Sequence, residues 1–195
     1  HDALPICATL KARGLYNGRA FDDDSRIVLV LAGYTQDDTT GYTDRLRRKL
    51  VDSGIDVLFI EDVVSGRRQT RRGEKIYSLW DTYVFADFIT YPSLWEGWGN
   101  QLLEALRAKV PLMLFEYPVY KADIKERGLR VVSLGSEIQG YDDRGLAQVA
   151  PDVIETAADQ AIPLLTDGDL RRQVVDHNFE VGQRYYSMTA LEQYL

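Results

Sequence analysis

YPSLWEGWGNQLLEAL, residues 91–106, decides how this chain is read. Its first residue ends an apolar run, and Gly97 and Gly99 then bracket Trp98 just before a helical pattern begins at Asn100. Glycines at a strand-to-helix junction permit positive φ and close approach of another group to the backbone. The helix that follows offers unpaired N–H groups and the positive end of its dipole, which suits an anion. Held by the amides of Gly99, Asn100 and Gln101, that anion is most simply a phosphate or diphosphate. Glu104 lies one turn into the helix, on the face of Asn100, where a carboxylate can accept hydrogen bonds from vicinal hydroxyls such as those of ribose. Glu96 precedes the helix and is placed for a second set of hydroxyls on the other side of the anion. Hydroxyls, diphosphate, hydroxyls: the layout describes a nucleotide sugar. On spacing alone, a tight turn with Glu96 solvated and Glu104 on an exposed face fits equally well. No G-x-G-x-x-G is present, so a dinucleotide fingerprint does not explain the glycines.

Outward from this stretch, short apolar runs alternate with helical patterns. Candidate strands are 26–32 (RIVLVLA), 56–60 (DVLFI), 86–91 (ADFITY), 111–116 (PLMLFE) and 129–133 (LRVVS). They read as continuous apolar runs, as expected for strands covered on both faces. Helical patterns span 4–15, 40–53, 74–85, 100–109 and 120–127, and the tail from Leu146 reads as helical. The alternation predicts an α/β fold, a Rossmann-like parallel sheet with helices on both faces and a helical tail at 146–195. Residues 1–195 are expected to form one domain. Ligands of such sheets bind beyond the carboxyl ends of the strands. The loops that matter are therefore 33–39, 61–73, 92–99 and 117–119.

Composition narrows the partners. The chain has 195 residues, 45% hydrophobic and 27% charged, with a net charge of −7, which opposes a nucleic-acid partner. No run approaches the roughly 20 apolar residues of a membrane span, and the first residues do not read as a signal peptide. The single cysteine, Cys7, excludes an internal disulfide and, with the rest, predicts a cytoplasmic protein. One cysteine and two distant histidines, His1 and His177, make a zinc site improbable.

The stretch from Pro92 to Ala105 resembles the E-x7-E signature of retaining glycosyltransferases with the GT-B architecture (family 4, or group 1). That signature usually reads P-S-x-x-E-G-F-G-x-x-x-L-E-A, and here Trp98 replaces the phenylalanine. LWDTYVFADFITYPS, KVPLMLFEY and the closing NFEVGQRYYSMTALEQYL are similar to the family's flanking elements. EYPVYKADIKERG is closest to the sucrose-phosphate-synthase and mannosylglucosylglycerate-synthase-like branch. The resemblance covers the carboxy-terminal, donor-binding half of a two-domain enzyme. It implies that Glu96 meets the donor sugar as the catalytic residue. It also implies that Gly97, Trp98 and Gly99 contact the sugar, Asn100 and Gln101 the distal phosphate, and Glu104 the ribose. The nucleobase would lie at Asp62, Val63 and Val64. No metal or cofactor is implied, the nucleotide diphosphate sugar being the substrate.

The family's first strand, its Arg–Lys pair and the acceptor-binding domain have no counterpart in the sequence. The resemblance therefore implies a fragment that turns nothing over by itself. SGRRQTRRGEK places Arg67, Arg68, Arg71, Arg72 and Lys75 in one loop at the ligand end, a candidate clamp for the diphosphate as well as an ordinary solvated loop. Tyr77, Trp80 and Tyr83, at helical spacing, read as core. His177 reads as a surface residue of an amphipathic helix, and Cys7 as core. Tyr117, Tyr120 and Asp123 stand as candidates for the interdomain cleft. Two alternatives stay open: a non-catalytic nucleotide-sugar-binding or structural domain, and a GT-B epimerase or phosphorylase relative.

Overall fold

The computed structural model describes residues 15–16, 19–20, 27–32 and 41–192. Strands β1 (Leu15–Tyr16) and β2 (Arg19–Ala20) pair antiparallel. β3 (Val28–Leu31) pairs in parallel with β4 (Asp56–Phe59), and α1 (Tyr42–Asp52) lies between them in sequence. β5 (Val64–Ser65), β6 (Gln69–Arg71) and β7 (Glu74–Ser78) form a small mixed sheet in the order β5-β7-β6. Then come α2 (Leu79–Tyr83), β8 (Ile89–Tyr91), α3 (Asn100–Ala108) and β9 (Leu112–Leu114). A π-helical turn (Tyr120–Ile124) and a 3-10 turn (Lys125–Arg127) lead to β10 (Val132–Ser133). β11 (Gly140–Tyr141) and β12 (Ala147–Gln148) pair antiparallel, and α4 (Pro151–Thr166), α5 (Gly168–Tyr186) and α6 (Met188–Glu192) close the chain. This is the expected Rossmann-like α/β architecture.

β9 sits at the centre of the parallel sheet β10-β9-β8 and divides the core. Side chains alternate faces along a strand. Leu112 and Leu114 join Ile89, Tyr91, Leu102, Ala105, Leu106 and Tyr117 on the face that α3 covers. Met113 points the other way and packs with Ile154, Ala157, Ala158, Ala161, Leu164 and Leu165 of α4. All three β9 side chains are sealed from solvent, each contributing about 1.5–3 kcal/mol by burial. The buried positions of α4 recur three and four apart, the stripe its sequence shows. Asp167 then caps α5, its Oδ1 accepting the N–H groups of Asp169 (2.9 Å) and Leu170 (3.0 Å).

The structure corrects several expectations. Cover on both faces holds for β9 but not for β3 and β4, where burial alternates and Val28, Val30 and Leu58 are exposed. The helix expected over 74–85 is a strand, β7, followed by the five-residue α2. The cause lies in the turn before it. Arg72 (φ 52°) and Gly73 (φ 85°) both adopt left-handed backbone, the conformation that closes a two-residue hairpin, so Glu74 to Ser78 pair with β6 instead of coiling. Asp81 then starts α2 by accepting the Ser78 N–H (2.8 Å) and hydroxyl (2.9 Å). The helical tail begins at Pro151, since Ala147–Gln148 belongs to a β-pair. The helix expected at 4–15 lies outside the described residues but for its last, Leu15, which is in β1. His1, Cys7 and the 33–39 loop also lie outside them. Among the described residues no helix is long and apolar enough to cross a membrane.

Candidate functional site

β8 ends at Tyr91 and α3 begins at Asn100, so the 92–99 segment runs across the carboxyl edge of the sheet. Gly99 caps α3 in left-handed backbone, φ 85°. Glycine is required there twice over. A side chain would have to adopt the left-handed region, and its Cβ would fall 2.3 Å from the Tyr117 hydroxyl and 3.1 Å from that of Tyr91. The Tyr117 hydroxyl donates to the Trp98 carbonyl (3.2 Å). Tyr91 and Tyr117 meet edge to face, ring centroids 5.9 Å apart, and both are buried. The Trp98 ring packs on Tyr186 at 4.9 Å.

Two phenols thus support the turn from below, while its outer side stays open. Gly97, Trp98 and Asn100 are exposed, and Gln101 is half-buried. The N–H groups of Asn100 and Gln101 stand in the first helical turn, where no intrahelical carbonyl can reach them. Both carboxylates are half-buried, and each is met by a buried phenol. The Tyr91 phenol lies within reach of the Glu96 charge, and the Tyr83 hydroxyl donates to Glu104 Oε2 at 2.7 Å. Glu104 also lines a cleft of about 560 Å³ that runs between α3 and α5, with Trp80, Leu103 and Arg107 on one wall and Phe179, Gln183 and Tyr186 on the other. That is the size of a small-molecule site.

The remaining expected residues fall as follows. Asp62 and Val63 are exposed and Val64 is buried. The Val63 N–H donates to Ile60 O (3.1 Å) and its carbonyl accepts from Tyr77 N (2.8 Å), so this loop is stitched to β7. Arg67, between β5 and β6, and Arg71 and Arg72, on the β6–β7 hairpin, are exposed, whereas Arg68 is committed: its guanidinium grips both oxygens of Asp81. Tyr83 is core as expected, but Tyr77 and Trp80 are exposed, because the segment changes from strand to helix between them. Tyr117 and Tyr120 are buried rather than facing a cleft, and only Asp123 is exposed. His177 lies on α5 with Nε2 2.8 Å from Gly128 O. Tyr91, Tyr117 and Tyr186 carry no motif, so reading for chemistry passed over them as supports of the turn. For Tyr91 and Tyr117 the signal was position alone, at or just beyond the ends of two adjacent strands, whereas Tyr186 ends α5.

Burial pushes the phenols of Tyr83, Tyr91, Tyr117 and Tyr120 up, and the Glu96 charge adds to the effect on Tyr91 and Tyr117. Tyr117 rises to about 12. These groups bind their protons more tightly folded than unfolded. The contribution of Tyr117 to stability is whole below the ordinary tyrosine value of 10.0 and is lost as pH climbs through that value to about 12, and the other three phenols, raised further, lose theirs higher still. Alkaline titration should show a late tyrosinate absorbance step coincident with loss of far-ultraviolet circular dichroism. Ionisation of every tyrosine near 10 with the fold intact would refute this.

No family model matches the chain. Mannosylglucosylglycerate synthase of Thermotoga maritima is 39% identical over 185 residues, 95% of this chain and 40% of that protein. Mannosylglucosylglycerate synthase of Petrotoga mobilis is 36% identical over 173 residues, 89% of this chain and 39% of that protein. The chain is a homologue of part of these synthases. It spans about two fifths of the length of the curated relatives it matches. Similarity to mannosylglucosylglycerate synthases over nearly the whole chain agrees with the branch that EYPVYKADIKERG suggested.

Proposed function

We infer that this chain is the donor-binding part of a hexosyltransferase of the GT-B kind. The observation that carries the reading is the open glycine turn at the start of α3, with a half-buried carboxylate on either side. Similarity to two synthases named for a glycosylated product supports it. The Asn100 and Gln101 amides take the diphosphate, Glu104 the ribose hydroxyls, and Glu96 the hydroxyls of the donor sugar. Exposed Gly97 leaves room for the sugar to approach the backbone.

In the retaining reaction that the resemblance implies, the bond from the anomeric carbon to the diphosphate oxygen breaks and its electron pair stays with the diphosphate. The acceptor hydroxyl oxygen then bonds the same face of that carbon, and its proton passes to the departing diphosphate. The amides lower the barrier by stabilising leaving-group charge, and Glu96 orients the sugar and faces the positive charge at the anomeric carbon. Arg67, Arg71 and Arg72 supply cations near the nucleobase loop; Arg68 does not, being held by Asp81.

Isothermal titration of the chain with UDP, GDP and their sugars tests this reading. At least one should bind, and Glu104→Ala should weaken it tenfold or more, since a carboxylate accepting two hydroxyls contributes roughly 1.5–3 kcal/mol. Absence of binding by any of them overturns the assignment.

A further inference from the structure

We propose that Tyr83 is the positioning residue of the Glu104 carboxylate, holding one oxygen so that the other is free to accept the vicinal hydroxyls of a ribose. The proposal rests on the reading of Glu104 as a ribose ligand. Helix α2 is five residues long, and its last residue delivers the Tyr83 ring into the core that α3 covers. The ring is buried and packs on Trp80 at 5.5 Å, so its hydroxyl has little freedom; it donates to Glu104 Oε2 at 2.7 Å.

Glu104 is otherwise a long side chain on a helix surface, with rotamer freedom to lose when a ligand binds. A donor fixed in the core removes that loss beforehand. The nature of the donor matters too. Among the described residues no Lys or Arg is ion-paired with Glu104. Arg107, one turn further along α3, lies over the Trp80 ring instead, 5.2 Å from its centroid. A cation on Glu104 would compete with sugar hydroxyls for the same lone pairs, whereas a neutral phenol takes one and leaves the charge for the diol. Burial and the Glu104 charge keep that phenol protonated well above its ordinary range.

The test titrates the full chain with UDP, GDP and ADP and with their 2′,3′-dideoxy counterparts. The unmodified chain should prefer a ribonucleotide to its dideoxy analogue by about tenfold. Tyr83→Phe keeps the ring and removes only the donor. It should lose roughly five- to tenfold for the ribonucleotide and less than twofold for the dideoxy form. Equal losses for both forms mean that Tyr83 is merely structural and overturn the proposal. So does an unchanged Tyr83→Phe beside a Glu104→Ala that no longer binds, a result that leaves the donor reading standing. Failure of the unmodified chain to bind any ribonucleotide overturns both together. If Tyr83→Phe does not fold, a nucleotide-bound structure of the unmodified chain decides: the phenol must stay on Glu104 while the other carboxylate oxygen meets the ribose, and a phenol displaced from Glu104 sinks the idea.

Discussion

Gly99→Ala is expected to destabilise the chain by roughly 3 kcal/mol and to abolish nucleotide binding. Two independent costs add. Left-handed backbone costs an L-residue about 1–2 kcal/mol, and Gly99 has φ 85°. The new methyl group would also fall 2.3 Å from the Tyr117 hydroxyl, on a ring that cannot step aside because it is sealed among Tyr91, Tyr120 and Ile124. Overpacking of that kind costs about 1–3 kcal/mol. In a domain of this size the sum lowers Tm by roughly 10 °C. Movement of the turn would displace the Asn100 and Gln101 amides and break the bond from Tyr117 to Trp98 O, so binding should fail even where the fold survives. The control lies two residues away. Gly97 has no positive φ, and a Cβ there meets nothing within 4 Å, so Gly97→Ala should leave Tm within a degree or two. Equal Tm values for the two alanine variants would falsify the account of the turn.

The same turn shows what the sequence made legible. Two glycines around Trp98, followed by a periodic apolar run, placed the start of α3 at Asn100, because strand, turn and helix each leave a local signature. The apolar runs located β8 and β9 for a similar reason. What lay beyond reach was set by tertiary contact. Nothing local in EKIYS announces a strand; its state follows from pairing with β6 across the Arg72–Gly73 turn, and the spacing of Tyr77, Trp80 and Tyr83 imitates a helix. Arg68 read as one cation among five until the fold set Asp81 against it, thirteen positions along. Spacing singled out Glu96 and Glu104 as candidates, but not the phenol that bonds Glu104. Tyr83 lies twenty-one residues from Glu104 in sequence, and only packing brings the two within a hydrogen bond. Ligand-bearing groups advertise themselves by chemical type; the groups that orient them are ordinary core residues until geometry shows otherwise.

Asn178→Leu should cost about 2–4 kcal/mol, more than any substitution on the exposed side of α5. Asn178 is a buried polar side chain on a helix that otherwise buries Val174, Val175 and Val181. It makes two bonds to a single residue: its Oδ1 accepts the Arg130 N–H at 2.8 Å, and its Nδ2 donates to the Arg130 carbonyl at 2.8 Å. The amide group stands in for a neighbouring strand, pairing the backbone just before β10 where the sheet supplies no partner. Leucine matches its branched shape but leaves both part-buried backbone groups unpaired, each costing about 1–3 kcal/mol. An aspartate in its place is no remedy: it keeps the acceptor but sets a buried charge against the Arg130 carbonyl, so Asn178→Asp should be at least as damaging. Hydrogen exchange separates this account from simple loss of packing. The Arg130 amide should be protected in the unmodified chain and exchange far faster in Asn178→Leu, while the amides of β9, which bond within the sheet, keep their protection up to global unfolding. If the Arg130 amide exchanges equally fast in both, the side chain is filling space on α5 and does not close the edge of β10.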